Sequence, residues 1–192
     1  MNGKPAKVLG VTDMRRAISI AMKQREARRN RAIILLSFKA GLRAGEIAAL
    51  RWRMVLDANG CVGPYIELPA RYAKKGSGRR IPLSPELVIA LKALPNRERN
   101  WDGPVIRSAR GKHMTPKAVV NWFSALYRSL GLEGCSSHSG RRTFVTRAAR
   151  LIAKTGGSLR DVQQLAGHRS IQTTQGYIEG DAQAQRRLIR LV

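Results

Sequence analysis

The hydrophobic periodicity of the chain changes twice along its length, and this restricts the possible folds more than any other feature. Up to residue 50 the apolar residues recur at the spacing of amphipathic helices. The pattern then shortens, and three segments predict short strands: Met54–Asp57, Tyr65–Leu68 and Arg79–Leu83. Helical spacing returns after Leu83. The sequence therefore predicts a mainly α fold with one small antiparallel β-sheet in the middle, an α+β arrangement.

Capping residues set the expected helix boundaries. Hydroxyl side chains that favour a helix N-terminus precede several helices: Thr12, Ser84, Thr115, Ser136 or Ser137, and Ser158. Proline at position 85 or 116 favours the first helical position, and Gly41 is expected to end a helix. The predicted helices begin at Asp13 and then cover residues 26–40, 44–50, 85–94, 116–130, 138–155, 159–165, 171–178 and 181–191.

Basic residues outnumber acidic residues by three to one. The chain has 192 residues with 36 Lys and Arg against 12 Asp and Glu, which gives a formal net charge of +24. Such a surface repels itself unless a polyanion is near, so nucleic acid is the expected partner. The basic residues spread along the whole chain, whereas a membrane-surface peptide would concentrate them on one helix. Hydrophobic residues make up 43% of the chain, which is enough to build a core.

Several classes of protein do not fit this composition. No run of about 18 apolar residues predicts a membrane span, and the residues after Met1 do not resemble a signal peptide. Cys61 and Cys135 are too few for a disulfide framework, so a reducing cytoplasm is the expected compartment. A two-metal nuclease needs clustered carboxylates, and residues 134–160 contain none. No P-loop motif is present, and we expect neither a metal nor another cofactor.

A few basic and aromatic residues could carry chemistry on a phosphodiester. His138 and Arg141 are three residues apart at a predicted helix start, so they share a face. Arg43 lies at a helix junction, and His168 precedes Tyr177 by nine residues. Each residue alone has a simpler interpretation, because a helix-terminal His is usually a cap, a lone Arg is usually solvated and a lone Tyr usually packs. Only the joint pattern separates the two interpretations.

The joint pattern resembles the tyrosine recombinase, or phage integrase, family. Residues 40–52 read AGLRAGEIAALRW and are similar to the family's first box, G-L-R-x-x-E. Residues 138–141 read HSGR and match H-x-x-R, and residues 165–177 read LAGHRSIQTTQGY and are similar to the third box. A turn with Lys74 and Lys75, before the third predicted strand, is similar to the family's lysine turn. The boxes occur in the family's order.

Three positions depart from the family's usual pattern. Gly140 stands where the family often has Leu, Arg142 where it often has His, and Ala166 where Leu is more usual. None of these departures removes a group to which the resemblance assigns a catalytic role.

The resemblance implies roles for five of these residues. Tyr177 would attack the phosphodiester and remain joined to it as a phosphotyrosine. Arg43 and Arg141 would bind the non-bridging oxygens as bidentate donors. His138 or His168 would help the tyrosine to lose its proton, or would donate hydrogen bonds to the phosphate.

The resemblance also implies a general acid and a supporting residue. A lysine of the turn would protonate the leaving 5′-oxygen. Lys74 falls where the family's lysine usually lies, and Lys75 is its neighbour, so the choice between them stays open. Glu46 would brace either Arg43 or His138.

The expected domain organisation is a single catalytic domain over residues 1–192. Residues 1–11 would form a hinge-like segment, and residues 180–192 would form a tail helix that packs on its own core or on a neighbouring protomer. The family usually carries a core-binding domain before the catalytic domain, and this sequence does not include one. It corresponds either to an excised catalytic domain or to a short family member.

The resemblance implies a site-specific DNA recombinase that cleaves and rejoins DNA through a 3′-phosphotyrosyl bond and a Holliday junction. Its partners would be double-stranded DNA at the nucleoid, three further protomers on two sites, and accessory DNA-binding proteins. Two alternatives remain. One is a type IB topoisomerase-like relaxing enzyme, and the other is a catalytically silent DNA-binding regulator on the same fold.

Overall fold

The computed structural model of the chain describes residues 6–72, 78–95, 101–177 and 189–190. Within these ranges the helices are α1 (Val11–Met22), α2 (Ala27–Lys39), α3 (Ala44–Ala49), α4 (Pro85–Lys92), α5 (Pro116–Ser129), α6 (Ser139–Leu151), α7 (Leu159–Ala166) and α8 (Ile171–Gln175). Strands β1 (Tyr65–Leu68) and β2 (Arg79–Pro82) pair antiparallel, with Ile66 opposite Ile81. The predicted mainly α fold with a small antiparallel sheet is confirmed.

The first helix begins earlier than the sequence predicts. Its N-cap is Gly10, and the Asp13 carboxylate accepts a hydrogen bond from the Gly10 backbone N–H at 3.1 Å. A carboxylate in the first turn thus caps the helix, and its negative charge also suits this end of the helix dipole. Thr12 lies inside the first turn, so the prediction that it caps this helix is wrong.

The predicted strand over Met54–Asp57 is also wrong. Trp52–Met54 form a 3-10 turn, and Leu56 then pairs with Val62 in an isolated bridge. Trp52 and Met54 are both buried. The apolar pattern therefore reflects burial of a tight turn, which a short apolar run does not distinguish from a strand.

Most other predicted helix boundaries are confirmed to within a few residues. The hydroxyls of Ser84 and Thr115 accept backbone N–H groups in the first turns of α4 and α5. Helix α6 is shorter than predicted, because residues 152–155 continue it as a 3-10 turn. Its N-cap position is held by His138, and not by Ser136 or Ser137.

Helix α2 is the centre of the fold. Ile33, Ile34, Leu35 and Leu36 are completely buried, and α1, α4 and α6 pack around the helix. The first turn of α2 is basic, but Ala32–Phe38 are buried on every side, so this half of the helix lies inside the core. It leads directly into Gly41 and the segment that begins α3.

A smaller apolar cluster lies beneath the second half of the chain. Val145, Val162 and Ala166 are buried together, and the Tyr177 ring packs against them. This cluster joins α6, α7 and the segment after α8, so it fixes the position of Tyr177 relative to α6.

Some predictions fall on residues outside the described ranges. These are the lysines at 74 and 75, residues 1–5 of the hinge-like segment, and the tail helix apart from residues 189–190. Leu9, in the described part of the hinge-like segment, is buried, and its N–H donates to Thr143 Oγ1 at 2.8 Å. Among the described helices, none is long and apolar enough to cross a membrane.

Candidate active site

Arg43 and Glu46 begin α3 and are bound to each other. Arg43 holds the N-cap position, and the Glu46 carboxylate accepts its backbone N–H at 2.9 Å and its Nη1 at 3.0 Å. The side chain of Glu46 is 2% exposed, whereas that of Arg43 is 22% exposed. The carboxylate therefore fixes Arg43 while part of the guanidinium stays open to solvent. These are the contacts expected of a brace for Arg43, which is one of the two roles predicted for Glu46.

Arg79, the first residue of β2, binds the same carboxylate. Its Nη1 and Nη2 donate to Glu46 Oε1 and Oε2 at 3.0 and 2.9 Å, and its Nε donates to the Leu165 carbonyl at 2.9 Å. Burial raises the pKa of Glu46, but hydrogen bonds and positive charge from Arg79 and Arg43 outweigh it, so the net pKa lies below its ordinary value. Glu46 is thus an ionised carboxylate shared by two arginines.

Arg141 is buried on α6 between two distant segments of the chain. Its Nη1 donates to the Gly41 carbonyl and its Nη2 to the Ala166 carbonyl, both at 2.7 Å. Burial, and then the positive charge of Arg43, lowers its pKa to about 10, so it stays protonated at neutral pH. These two bonds use two of the five N–H donors of a guanidinium.

Two glycines allow α2 and α6 to approach closely enough for this contact. Gly41 has a φ of +64°, and a Cβ there would overlap the Phe144 ring on α6. A Cβ on Gly140 would overlap the Ser37 hydroxyl and the Phe38 ring, both on α2. The departure of Gly140 from the family's usual Leu therefore matches the close approach of these two side chains. Both glycines bring Arg141 within reach of the Gly41 carbonyl.

His168 lies at the left-handed turn that ends α7. It is 8% exposed, and its Nδ1 is 3.0 Å from the hydroxyl of buried Thr174 on α8. The Gln163 side chain donates to the His168 carbonyl at 2.9 Å. His168 is therefore held at two points. Its carbonyl accepts a hydrogen bond from Gln163 of α7, and its ring contacts Thr174 of α8.

The environment keeps His168 neutral at physiological pH. Burial, and then the positive charges of Arg141, Arg43 and Arg79, lowers its pKa to about 4. A neutral imidazole carries one N–H and one lone-pair nitrogen. Whichever role Nδ1 takes with Thr174, Nε2 takes the other, so His168 can either donate to or accept from a ligand.

Tyr177 stacks on His168. The ring centroids are 5.4 Å apart with 22° between the planes, and the Arg142 guanidinium lies 5.5 Å from the Tyr177 centroid. The Tyr177 carbonyl also accepts from Thr146 Oγ1 of α6 at 3.4 Å. The half-buried tyrosine is therefore placed beside the imidazole and beside a positive charge.

The structure brings most of the predicted site residues together. Arg43, Arg141, His168 and Tyr177 lie close together, and Glu46 holds Arg43 in this group. His138 is exposed directly before α6, three residues ahead of Arg141. The two predicted lysines lie outside the described residues.

A cavity adjoins His168 between β2 and α7. It encloses about 590 Å³, and three arginines, Arg79, Arg80 and Arg160, line it against one acidic residue, Asp161. Such a positively charged surface suits a phosphate-bearing ligand. Among the residues that the structure describes, no three His, Cys, Asp or Glu side chains gather where they could hold a metal ion.

Sequence reasoning missed Arg79 and Thr174 as parts of the site. Arg79 was assigned only to a strand, although an arginine at the start of a strand with an inward side chain needs a buried partner. Glu46, three residues after Arg43 in the first box, is the acidic residue that could have indicated this partner. Thr174 lies six residues after His168, a distance that helical spacing alone does not connect.

A mainly helical domain that brings two arginines, a histidine and a tyrosine close together has the architecture of a tyrosine recombinase catalytic domain. Residues 7–184 match the family model described as the phage integrase family, and the chain belongs to that family. The predicted resemblance is thus confirmed.

The chain is also similar to curated proteins named tyrosine recombinase XerC. It is 31% identical over 157 residues to one from Rickettsia bellii (strain OSU 85-389), covering 78% of this chain and 46% of that protein. It is 29% identical over 185 residues to one from Brucella suis biovar 1 (strain 1330), covering 92% and 56%. The chain spans about half the length of the curated relatives it matches.

Solved structures share the fold. The Tn1549 transposon integrase in complex with a circular intermediate DNA superposes with a TM-score of 0.75 at 18% identity, covering 100% of this chain and 67% of that one. XerA recombinase gives 0.72 at 22% identity, covering 100% and 65%. A lambda integrase dimer bound to a COC′ core site gives 0.67 at 20% identity, covering 94% and 62%. The predicted tyrosine recombinase fold is confirmed.

Proposed function

We propose that the chain is the catalytic part of a site-specific DNA recombinase that cleaves and rejoins DNA through a 3′-phosphotyrosyl bond. One observation carries this proposal. Arg141 is fixed between the Gly41 and Ala166 carbonyls, close to Arg43, His168 and Tyr177. The XerC relatives and the DNA-bound integrases support the same class of reaction.

Tyr177 is the nucleophile in this proposal. Its phenol oxygen attacks the scissile phosphorus, and the 5′-oxygen leaves while a phosphotyrosine forms at the 3′ end. The covalent bond conserves the energy of the phosphodiester, so rejoining needs no ATP. A phenol has an ordinary pKa of about 10, and loss of its proton needs a base. Neutral His168, whose ring centroid lies 5.4 Å from that of Tyr177, would accept that proton or donate to the phosphate.

The two arginines supply the charge that the reaction needs. A pentacoordinate phosphorus carries more negative charge than the diester, and fixed guanidiniums can bind its non-bridging oxygens without rearranging. Arg141 is so deeply buried that it would reach only a phosphate seated directly against its guanidinium. Arg43 is the more open of the two. Together they would take the place of a metal ion, so cleavage should continue in EDTA.

The remaining roles complete the reaction. His138, exposed ahead of Arg141, would donate to the phosphate, and Lys74 or Lys75 would protonate the leaving oxygen. Strand exchange would proceed through a Holliday junction, with four protomers on two DNA sites in the cytoplasm and with accessory DNA-binding proteins where needed. A type IB topoisomerase-like enzyme would use the same groups as a monomer on one duplex. A silent regulator would bind DNA without cutting it.

Covalent trapping on nicked duplexes tests the proposal. A pool with a randomised central sequence and a nick beside the scissile position lets the cleaved fragment diffuse away, so that SDS-stable adducts accumulate and can be sequenced. Adducts from the wild-type chain, none from Tyr177→Phe, and equal DNA binding by both would support it. Tyr177→Phe is a matched control because it removes only the oxygen.

Each alternative has its own outcome in this experiment. Wild-type adduct with relaxation of single plasmids and no exchange between two sites would favour the topoisomerase-like enzyme. DNA binding without adduct on any member of the pool would favour the silent regulator. Adduct of wild-type yield from Tyr177→Phe would exclude Tyr177 as the nucleophile.

A further inference from the structure

Arg79 is bonded to the site through all of its guanidinium nitrogens, although the proposed reaction gives it no role. All three of its guanidinium nitrogens donate hydrogen bonds of 2.9–3.0 Å, two to the Glu46 carboxylate and one to the Leu165 carbonyl. Its side chain is 5% exposed. The residue thereby joins three segments: β2, the start of α3 and the end of α7.

We infer that Arg79 is a positioning residue for DNA cleavage, which holds the Glu46 carboxylate against Arg43 and the turn before His168 against β2. This inference rests on the proposed function. Arg79 itself would not touch the scissile phosphate, because its donors face Glu46 and Leu165.

The charges around Glu46 indicate why a second arginine is needed there. Arg43 is the open partner and would turn its guanidinium to a bound phosphate, which competes with Glu46 for the same donors. Glu46 would then be a buried carboxylate with weakened pairing, a costly arrangement. Arg79 keeps both carboxylate oxygens paired throughout. Arg43, Arg79, Arg141 and Glu46 together carry a net charge of +2, which matches a transition state that gains negative charge on the phosphorus oxygens.

The packing at Gly167 links Arg79 to His168. Gly167 has a φ of +61°, and a Cβ there would lie 2.9 Å from Arg79 Nη1 and 3.0 Å from its Cδ. The turn that carries His168 therefore rests directly on the arginine side chain. A shorter side chain at position 79 would leave space beneath this turn and release the Leu165 carbonyl.

The test compares Arg79→Gln and Arg79→Lys with Arg16→Gln. Arg16, on α1, also contacts a carboxylate and a backbone carbonyl, those of Asp13 and Leu130, but its side chain is 54% exposed, so Arg16→Gln matches the loss of charge away from the site. The DNA is the duplex that the wild-type chain selects from the nicked pool. We expect Arg79→Gln to form adduct about 100-fold more slowly, as for a misplaced catalytic group, with DNA affinity within about threefold of wild type. Arg16→Gln should cleave at the wild-type rate.

A second substrate separates positioning from a folding defect. The selected duplex is made with an uncharged methylphosphonate at the scissile position, which has less need of aligned guanidiniums. The deficit of Arg79→Gln relative to wild type should shrink to about tenfold or less on this duplex, because the weakened charge stabilisation matters less. If Arg79→Gln fails to fold, Arg79→Lys carries the same comparison, since lysine keeps the charge but lacks the fork.

The outcomes are distinct. Wild-type cleavage rates in both Arg79 variants, or equal deficits on the charged and the uncharged duplex, would overturn the positioning role. A wild-type chain that forms no adduct on any duplex would instead overturn the proposed function, and the inference with it. A loss in Arg16→Gln as large as in Arg79→Gln would show that removal of any positive charge is enough, and would also overturn the inference.

Discussion

The Gly41 carbonyl accepts a 2.7 Å hydrogen bond from Nη1 of Arg141, a residue 100 positions further along the chain. The bond connects the end of α2 with α6 at the point where Arg43 and Arg141 approach each other. It forms only because Gly41 adopts a left-handed conformation that turns the chain beneath the Phe144 ring. The position of the Arg141 guanidinium therefore depends on a residue that has no side chain.

Gly41→Ala should damage both stability and cleavage. The added Cβ is strained at a positive φ and overlaps the Phe144 ring, so we expect a loss of about 2 kcal/mol or more in the free energy of unfolding. The adduct rate should fall as the Arg141 contact shifts. Urea unfolding measures the stability. Gly45→Ala is the control, because Gly45 lies in α3 with nothing within 4 Å of its Cβ position. A Gly41→Ala chain as stable as Gly45→Ala would contradict this account.

Gly140→Ala should destabilise the contact between α2 and α6. The Cβ would overlap Ser37 Oγ and, at 2.8 Å, the Phe38 ring, and overpacking in a dense core costs about 1–3 kcal/mol. Ser37→Ala should recover part of the loss, because it removes the nearest opposing atom. A double-mutant cycle on unfolding free energies measures this coupling. Purely additive effects of the two substitutions would show that the helices do not meet at this point.

Substitutions of Arg43 and Arg141 should differ in their effect on stability. Arg43→Lys and Arg141→Lys should each slow adduct formation on the order of 100-fold, since a point charge does not replace a bidentate fork. Only Arg141→Lys should also lower the melting temperature, because Arg141 alone bonds two backbone carbonyls in the core. A loss of cleavage of tenfold or less in both variants would argue against direct phosphate contact.

His168 should make the folded chain sensitive to mild acid. Its folded pKa of about 4 lies below its ordinary value of about 6.5, so the unfolded chain takes up the proton first as pH falls. This contribution to stability is complete above about pH 6.5 and is lost progressively towards pH 4. Urea unfolding at pH 7 and pH 4.5 should show a larger decrease for wild type than for His168→Gln. Equal decreases would mean that the imidazole is not held neutral.

The net charge of +24 should appear as a steep salt dependence of DNA binding. Each neutralised phosphate contributes about −0.9 to the slope of log affinity against log salt concentration. Anisotropy titrations of random and selected duplexes at several salt concentrations measure the slope and the specificity ratio. We expect a steep slope and a modest ratio for this chain alone. A shallow slope would mean that phosphates do not engage the charge, and a large ratio would mean that the chain reads its site without help.

The sequence predicts the helices and the identity of the main site residues better than it predicts their support. Amphipathic periodicity and caps such as Ser84 and Thr115 are local signals, so the helix positions follow from them. The first box also points to Glu46 beside Arg43, three residues apart on one turn. By contrast, the bonds from Arg79 to Leu165 and from Arg141 to Ala166 are contacts between distant segments, which no local pattern encodes. The strand predicted over Met54–Asp57 is wrong for a related reason, because a buried turn and a paired strand have the same short apolar pattern.

Arg141 bonds to carbonyls on both sides of it in sequence, at Gly41 and at Ala166. Arg141 is therefore fully anchored only when a segment from each side has packed against α6, and such non-local contacts must overcome loop-closure entropy before they form. A chain that has folded through α6 but not through α7 would already carry most of its DNA-attracting charge, while Arg141 would lack one of its two anchors. A half-folded chain of the proposed recombinase would therefore bind DNA through its charge before Arg141 is fully anchored.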